Sequence, residues 1–529
     1  MDTVILGLNS NVHDGSAALV VNGKLVGALS MERLNRYKKH YKGNDEWLIT
    51  HLLNQHGLDL NDITHIAFPE NVDHLNQNHL KFYNKDGEIF DHLTGYNIYN
   101  DHNEYYSIIN NIKIPAYHIG HHLSHAAYAF YTSRFKESHC LTVDASWFPH
   151  QTSMVAYGND NKLNFIYHPH IRIGCTYGMF TEYIGLGEQI FKAGSLMGLA
   201  SYGEPIKEVM DKWKVYTDSD NQLHWHEISS KVNWNENSQK DGKEAMDIAA
   251  TIQKIFENEI LYQVECINDL LHFIVSDNIC LSGGSFLNCN LNSKISEIKN
   301  VSVSPACGDD GLSAGSALYL AHHILNYPRI EYTNAELAYL GGEYPIPNLG
   351  VEYNPKDVAK MLNEGKIIAW YQGKSEFGPR ALGNRSLLAN PTISDMKDIL
   401  NHRIKKREWF RPFAPSVLVE KYQEWFDNKE PSPFMLFTSQ VKKPELVPAI
   451  THVDNSARIQ TVDKRDNPRY WEIISEFEKL SGVPMLLNTS LNINGEPIVE
   501  TPEDAIRFLR ESDCDGLVLG DRFIEKVKA

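Results

Sequence analysis

A strand, a polar turn carrying an acid and a second strand occur twice in the N-terminal third of this chain. The first copy runs from Val4 to Leu8 and turns through Asn9-Ser10-Asn11-Val12-His13-Asp14-Gly15-Ser16. It resumes at Ala17 to Val21, and Asn22-Gly23 makes a two-residue hairpin turn into a third strand, Leu25 to Met31. The second copy runs from Cys140 to Asp144, passes Ala145-Ser146-Trp147 and resumes at Thr152 to Tyr157. Repetition of one unit constrains the fold more than any single motif, because both copies must find equivalent places in it.

A duplicated strand-turn-strand is what an actin-like ATPase fold predicts, its turns holding phosphate through backbone N–H groups and short side chains. By itself His13-Asp14 is equally compatible with a plain turn. Apolar spacing predicts helices over 46–56, 118–133 and 243–271. Within the second of these, His121 and His125 are four residues apart, which puts their Cβ atoms about 5–6 Å from each other on one face. Two such imidazoles can share a metal ion. The strand-end acid Asp144, and Asp309 and Asp310 in the later run Ser304 to Gly311, offer carboxylates to join them. Two His with one or two Asp form a hard N/O set that suits Fe(II), Mn or Zn with open positions. The rival reading of HxxxH is a partly buried histidine cluster, and His118 and His122 are read that way. HxxxH here lacks the glutamate of HExxH, which excludes a zinc protease of that type.

Two further stretches are rich in glycine. Phe191 to Gly203, which includes Lys192, holds too many small residues for an ordinary helix and is expected to be a tightly packed loop. Asn278 to Asn288 reads as buried strand, Gly283-Gly284 turn and helix start. That arrangement lets the backbone approach a phosphate or ribose, although a tight structural turn is the commoner use.

A chain of 529 residues is too long for one core and predicts roughly two to four domains. From about Ile330 to Asn354 it becomes loop-like, so domains over 1–340 and 355–529 are expected. The second domain opens with a buried strand, Lys366 to Tyr371. Basic motifs then follow among Phe, Trp and Pro: Gly378-Pro379-Arg380-Ala381-Leu382-Gly383-Asn384-Arg385-Ser386, Arg407 to Ser416 after Lys405-Lys406, Ala457 to Val462, and Leu487 to Pro497. Guanidinium groups beside glycines and hydroxyls suit a polyphosphate. The net charge of −17 does not favour general binding to nucleic acid. Seven scattered cysteines without a CxxC argue for a reducing compartment and against a thiolate zinc site. No signal peptide and no run of about 18 apolar residues is seen, so a cytoplasmic enzyme without a membrane partner is expected.

With these motifs in order, the chain resembles the O-carbamoyltransferases of the nodulation-factor, tobramycin and cephamycin type over nearly its whole length. GPRALGNRS, REWFRPFAPS, ARIQTV and LNTSLNINGEP carry the likeness in the second domain. His13-Asp14, HHLSHAA, LMGLASYG, LSGGSFLNC and CGDDG carry it in the first. The resemblance implies an α/β protein with an N-terminal actin-like domain, similar to the threonylcarbamoyl-adenosine synthase, followed by a YrdC-like α/β domain. It implies metal ligation by His121, His125, Asp144 and Asp309, with Fe(II) the expected ion. His13 is implied as the active-site base, and Lys38 as a lysine reaching the nucleotide. Arg380, Arg385, Lys405, Arg407, Arg411, Arg458 and Ser490 match the basic activation site, with Lys192, Gly283, Gly284 and Asn288 as further nucleotide-side candidates.

The implied chemistry is transfer of the carbamoyl group of carbamoyl phosphate, activated with ATP (and its Mg) as carbamoyl adenylate, to a sugar or other small-molecule hydroxyl. One departure is the Ala145-Ser146-Trp147 that follows Asp144, where family members usually have a glycine first. A tryptophan there would narrow the acceptor pocket or stack on an acceptor ring, so a hydroxymethylated pyrimidine, free or in DNA, stays open as acceptor, as does a homodimer. The rivals are an actin-like kinase or ATPase and a nucleotide-gated scaffold. Neither requires the His/Asp set together with a second basic domain.

Overall fold

The computed structural model describes residues 2–10, 13–39, 45–69, 82–83, 103–109, 112–145, 152–169, 171–212, 241–271 and 274–526. Its N-terminal part contains two sheets. In the first, β1 (Val4–Asn9), β2 (Ser16–Val21), β3 (Lys24–Ser30), β4 (His65–Phe68), β5 (Phe82–Tyr83), β6 (Asn103–Ile109) and β7 (Ile112–His118) lie in the order β3-β2-β1-β4-β7-β6-β5. In the second, β8 (Glu137–Val143), β9 (Ser153–Asn159), β10 (Lys162–Tyr167), β11 (Asn278–Ser282) and β12 (Asn300–Val303) lie in the order β10-β9-β8-β11-β12. The runs β3-β2-β1-β4-β7 and β10-β9-β8-β11-β12 match in order and direction. Each is an antiparallel meander followed by two parallel pairings. This is the duplicated actin-like plan that the repeated strand-turn-strand predicts. The Asn22-Gly23 turn has φ of 51° and 85°, the left-handed pair that a two-residue hairpin of matching twist needs.

The two sheets pack on a shared middle layer. Helix α3 (His121–Tyr131), which follows α1 (Met31–Asn35) and α2 (Asp45–Gln55), buries every residue except His121, and helix Leu312–Tyr319 beside it is wholly buried. They share a core with Ile5, Ala18, Cys140 and Cys280. In sheets of this kind ligands bind beyond the carboxyl ends of the parallel strands, where the strand order reverses. The ends of β1, β7, β8, β11 and β12 lead to His13, His121, Asp144, Gly283 and Asp309 in turn, so the topology alone gathers those residues.

The C-terminal part is built on β13 (Val351–Glu352), β14 (Ile368–Tyr371), β15 (Arg385–Ala389), β16 (Ala414–Leu418), β17 (Thr438–Gln440), β18 (Ser456–Arg458), β19 (Gln460–Val462), β20 (Met485–Ser490), β21 (Gly516–Leu519) and β22 (Arg522–Glu525). Eight of them form a mixed sheet, β13-β22-β21-β14-β15-β20-β16-β19, and β17 pairs with β18. Helices Pro355–Asn363, Pro468–Ser481 and Pro502–Glu511 bury their apolar faces on that sheet, which makes it the second α/β layer structure expected. The two parts are not independent bodies. Phe377 sits in the core beneath α3, and Phe410 and Leu436 sit in the core of the second N-terminal sheet.

Two expectations are corrected. The glycine-rich stretch is not a loop: Gln189–Ala200 is a helix. Each glycine costs a helix about 1 kcal/mol relative to alanine, but burial of Leu196 and Leu199 offsets it. The small residues let the helix press close: a Cβ on Gly198 would stand 3.3 Å from Pro412 Cδ of the second domain. The stretch 330–354 is not all loop either, since Asn334–Ala338 is a short helix closed by a capping box between Thr333 and Glu336.

Glu259, on helix Lys243–Leu270, offers a test of the packing. Burial alone raises its carboxyl pKa from 4.5 to about 8. The unfolded chain therefore loses this proton near pH 4.5 and the folded chain keeps it to about pH 8. Stability falls as pH rises through that window and the loss is complete above it. Glu259→Gln is expected to raise the melting temperature by several degrees at pH 8 and by little at pH 4. An equal shift at both pH values would contradict the burial of an uncompensated carboxyl.

Candidate active site

The metal-type cluster is built by three separate strand ends. His121 and His125 lie one turn apart at the start of α3, directly after β7. Asp144 follows β8, and Asp309 opens the 3₁₀ turn Asp309–Gly311 after β12. One ligand atom from each of the four lies within 4.8 Å of the others. His125 Nε2 is 3.1 Å from Asp144 Oδ2 and 3.3 Å from Asp309 Oδ1, and His121 Nε2 is 3.5 and 3.9 Å from the same two oxygens. The remaining nitrogen of His125, Nδ1, is 3.2 Å from the Ser282 hydroxyl, a contact that fixes the ring. Burial opposes ionisation of Asp144, yet hydrogen bonds from His121 and His125 hold its carboxyl well below the usual range. Burial and the charge of Asp144 push Asp309 up. Two inward-facing carboxylates and two imidazoles with this separation fit a divalent cation with N/O preference. His122 Nδ1 instead lies 2.8 Å from the Thr142 hydroxyl, and His118 is buried at the end of β7, in keeping with structural roles.

The glycine turn packs against this cluster. Gly283 has φ of 101°, and a Cβ there would meet Val143 O at 2.3 Å; one on Gly284 would meet Asp144 Oδ1 at 3.0 Å. The turn is thus the floor under the carboxylate. Asn288 caps the helix Cys289–Ile295 through Leu291 N and exchanges hydrogen bonds with Gln253, so its amide is engaged by the protein. Gly283 and Gly284 thus lie against the metal-type cluster, and Asn288 supports its neighbouring helix.

His13 stands beside the cluster. Its Nδ1 is 3.1 Å from Asp14 Oδ2 and 3.7 Å from Asp309 Oδ2. Burial disfavours the charged ring, but Asp14 and Asp309 outweigh it and its pKa is raised. Sequence reasoning missed the partner that holds Asp14: Lys39 Nζ reaches both carboxylate oxygens, at 2.8 and 2.6 Å. Burial opposes ionisation of Asp14, yet Lys39 brings its pKa down to about 2. Asp14 and Lys39 both have left-handed backbones, φ 56° and 55°, a conformation that side-chain-bearing residues keep only where the surroundings enforce it. The available signal was adjacency, Asp14 next to His13 and Lys39 next to Lys38. Ser146 and Trp147, the departure noted in the sequence, lie outside the described residues.

The second cluster is cationic. Arg380, Arg407, Arg411 and Arg458 each have their guanidinium pKa lowered by burial, and all but Arg458 further by a neighbour. That neighbour is Arg458 for Arg380, and Arg411 and Arg458 for Arg407. Their exposed area is intermediate while desolvation dominates, as on the wall of a cleft. Lys405 is buried, and its ammonium donates to Ser490 O and Oγ and to Asn492 O and Oδ1, at 2.5 to 3.2 Å. Lys38 enters from the first domain into the field of Arg411 and Lys192. Glu408 is the carboxylate set against this group, 2.5 Å from Lys192 and 3.9 Å from Arg411. Arg380 Nε and Arg458 Nε are buried with no hydrogen-bond partner.

Arg385 does not belong to the cluster. Its guanidinium donates to the carbonyls of Gln372, Gly373, Asn384, Glu500 and Gly342 and stacks on Tyr371 at 3.7 Å. It is wholly buried at the start of β15, with these carbonyls around it. Its role is corrected to tying the GPRALGN loop to the sheet. Glu376 does the same from the other side, one oxygen accepting from Leu382, Asn384 and Arg385 N–H groups.

Among the described residues, no helix is long and apolar enough to cross a membrane. The family models for the carbamoyltransferase N-terminus and C-terminus match residues 4–318 and 359–526. An uncharacterised protein of Synechocystis sp. is 33% identical, covering 99% of this chain and 97% of its own. Nodulation protein NolNO of Sinorhizobium fredii is 33% identical over 98% of this chain and 80% of its own. The 3'-hydroxymethylcephem-O-carbamoyltransferase of Streptomyces clavuligerus is 35% identical over 47% of this chain and 48% of its own. Both family models in sequence order, on two domains that each hold one cluster of converging charged side chains, make this chain a member of the carbamoyltransferase family of enzymes.

Proposed function

We propose that the chain is an ATP-dependent O-carbamoyltransferase that takes the carbamoyl group of carbamoyl phosphate through carbamoyl adenylate to an acceptor hydroxyl. The observation that carries this reading is the cationic cluster: four arginines repel one another in a desolvated place, with Glu408 as their carboxylate and two Nε atoms unpartnered. Such a set is costly without an anion, and guanidinium groups match polyphosphate oxygens bidentately. Hydrolysis of carbamoyl phosphate gives carbamate and phosphate. Carbamate oxygen then attacks the α-phosphorus of ATP, the bond to the β-phosphate oxygen breaks, and pyrophosphate leaves. Arg380, Arg407, Arg411 and Arg458 hold the phosphates, while Lys405 keeps the Ser490–Asn492 turn in place.

In the first domain His121, His125, Asp144 and Asp309 would hold the ion, which the family resemblance expects to be Fe(II). When bound, such an ion supplies Lewis-acid polarisation worth several kcal/mol. His13 donates Nδ1–H to Asp14, which leaves Nε2 to take the proton of the acceptor hydroxyl, a step worth roughly 10²–10⁴-fold. The alcohol oxygen forms a bond to the carbamoyl carbon, the carbon–oxygen bond to the phosphate breaks, and AMP leaves.

The test uses the full chain with ATP, carbamoyl phosphate and a panel of sugars, hydroxymethyl heterocycles and hydroxymethyl nucleotides. Expected are pyrophosphate release that requires carbamoyl phosphate and one product heavier by a single carbamoyl group. ADP formation indifferent to carbamoyl phosphate would replace this reading with a kinase or ATPase.

A further inference from the structure

Helix α1 and the residues just after it hydrogen-bond to both domains and run between the two clusters. Arg33, almost wholly buried, donates to the carbonyls of Glu376 and Gly378 at 3.3 and 3.0 Å, in the loop that carries Arg380. Arg36 caps the helix in a left-handed conformation, φ 64°, and its fork reaches Ile498 O at 2.7 Å and Pro497 O at 2.9 Å. Asp504 lies 3.5 Å from its Nε. The chain then runs to Lys38, in the field of Arg411 and Lys192, and to Lys39, clamped on Asp14. Glu32 closes the segment by accepting from Lys39 N–H at 2.9 Å. Two successive lysines therefore serve different clusters, and the arginines before them bind two loops of the second domain.

We propose, resting on the adenylate reading above, that Arg33 and Arg36 are positioning residues of a register strap between the two half-sites. They keep Lys38 on the phosphate side and Lys39 on the His13 side, so that the adenylate is retained until an alcohol takes its carbamoyl group. The four arginines that make the adenylate stand on second-domain elements; Arg33 holds the loop of Arg380, whereas Arg36 holds the 497–498 loop, which carries none of them. Lys38, like Lys192, is a cation that the first domain contributes to the phosphate site. Loosening the strap at Arg36 thus leaves formation in place and impairs retention. Released adenylate reacts with water: oxygen adds at the carbonyl carbon, the bond to the phosphate oxygen breaks, AMP departs with that electron pair, and a proton is lost to solvent with carbamate.

The experiment needs no acceptor. Full-length enzyme with ATP and carbamoyl phosphate alone is followed for pyrophosphate in a rapid-mixing assay. The wild type is expected to show a burst of about one pyrophosphate per chain and then a slow phase limited by loss of the adenylate. Arg36→Ala is expected to keep the burst amplitude and to raise the slow phase about tenfold or more, with AMP accumulating in step. A slow phase equal to that of the wild type overturns the strap, as does a parallel fall of burst and slow phase, the signature of a merely structural residue. Should Arg36→Ala not fold, Arg36→Lys, which keeps the charge without the fork, is read by the same two phases. A wild type that releases no pyrophosphate overturns the adenylate reading itself, and the strap with it. The wild-type control thereby separates the two failures.

Discussion

Arg458→Ala is expected to abolish pyrophosphate release from ATP and carbamoyl phosphate, by roughly 10²–10³-fold, the scale of losing one preorganised charged donor at a dry site. Arg458 stands among Arg380, Arg407 and Arg411 with a buried, unpartnered Nε, and water cannot reproduce a bidentate phosphate contact there. Arg407→Ala is expected to act likewise, although its Nε also holds Asn401 at 2.7 Å, so part of its effect is on the loop. Either variant, supplied with chemically prepared carbamoyl adenylate, is expected to carbamoylate an acceptor at close to the wild-type rate. Loss of both activities in a folded Arg458→Ala would refute the division into two half-sites.

His125→Ala and Asp309→Ala give the second large effect, on metal and on transfer. His125 Nε2 is the atom nearest to both carboxylates, and removing it leaves Asp144 and Asp309 only the more distant imidazole of His121 between them. Each variant is expected to fall from about one bound divalent ion per chain to below a tenth, measured by elemental analysis after reconstitution with Fe(II) under reducing conditions. Pyrophosphate release should persist while carbamoylated product disappears. His13→Ala separates base from ligand, because His13 faces Asp309 Oδ2 whereas the imidazoles of the cluster face Oδ1. It is expected to retain the ion and lose transfer by about 10²-fold or more. Unchanged metal content in both His125→Ala and Asp309→Ala would remove the ligand assignment.

Much of this was legible in one dimension. The repeated strand-turn-strand announced the duplicated sheets, because alternation of apolar runs and polar turns is imposed by the backbone wherever the strands end up. The i, i+4 pair of His121 and His125 announced a shared face for the same local reason. Asp144 was marked by its place at a strand end. Arginines among Phe, Trp and Pro marked a desolvated group of cations, since a merely solvated face would keep polar company.

What only the tertiary structure decided is which of several adjacent, chemically equivalent side chains does which task. Asp309 and Asp310 are neighbours on one 3₁₀ turn, and that tight turn sends Asp309 to the histidines while Asp310 lies in the field of Asp14, Lys39 and Glu32. Lys38 and Lys39 part in the same way at a left-handed residue, one to the arginines and one to Asp14. Arg380 and Arg385 share one motif, yet the strand β15 begins at Arg385 and draws its guanidinium into five carbonyls. Gly283 and Gly284 gave the turn, but its place against the Asp144 carboxylate came only with the fold. A sequence specifies residue types and local periodicity; the direction of each side chain follows from φ, ψ and long-range packing, and those are settled only when the distant strands meet.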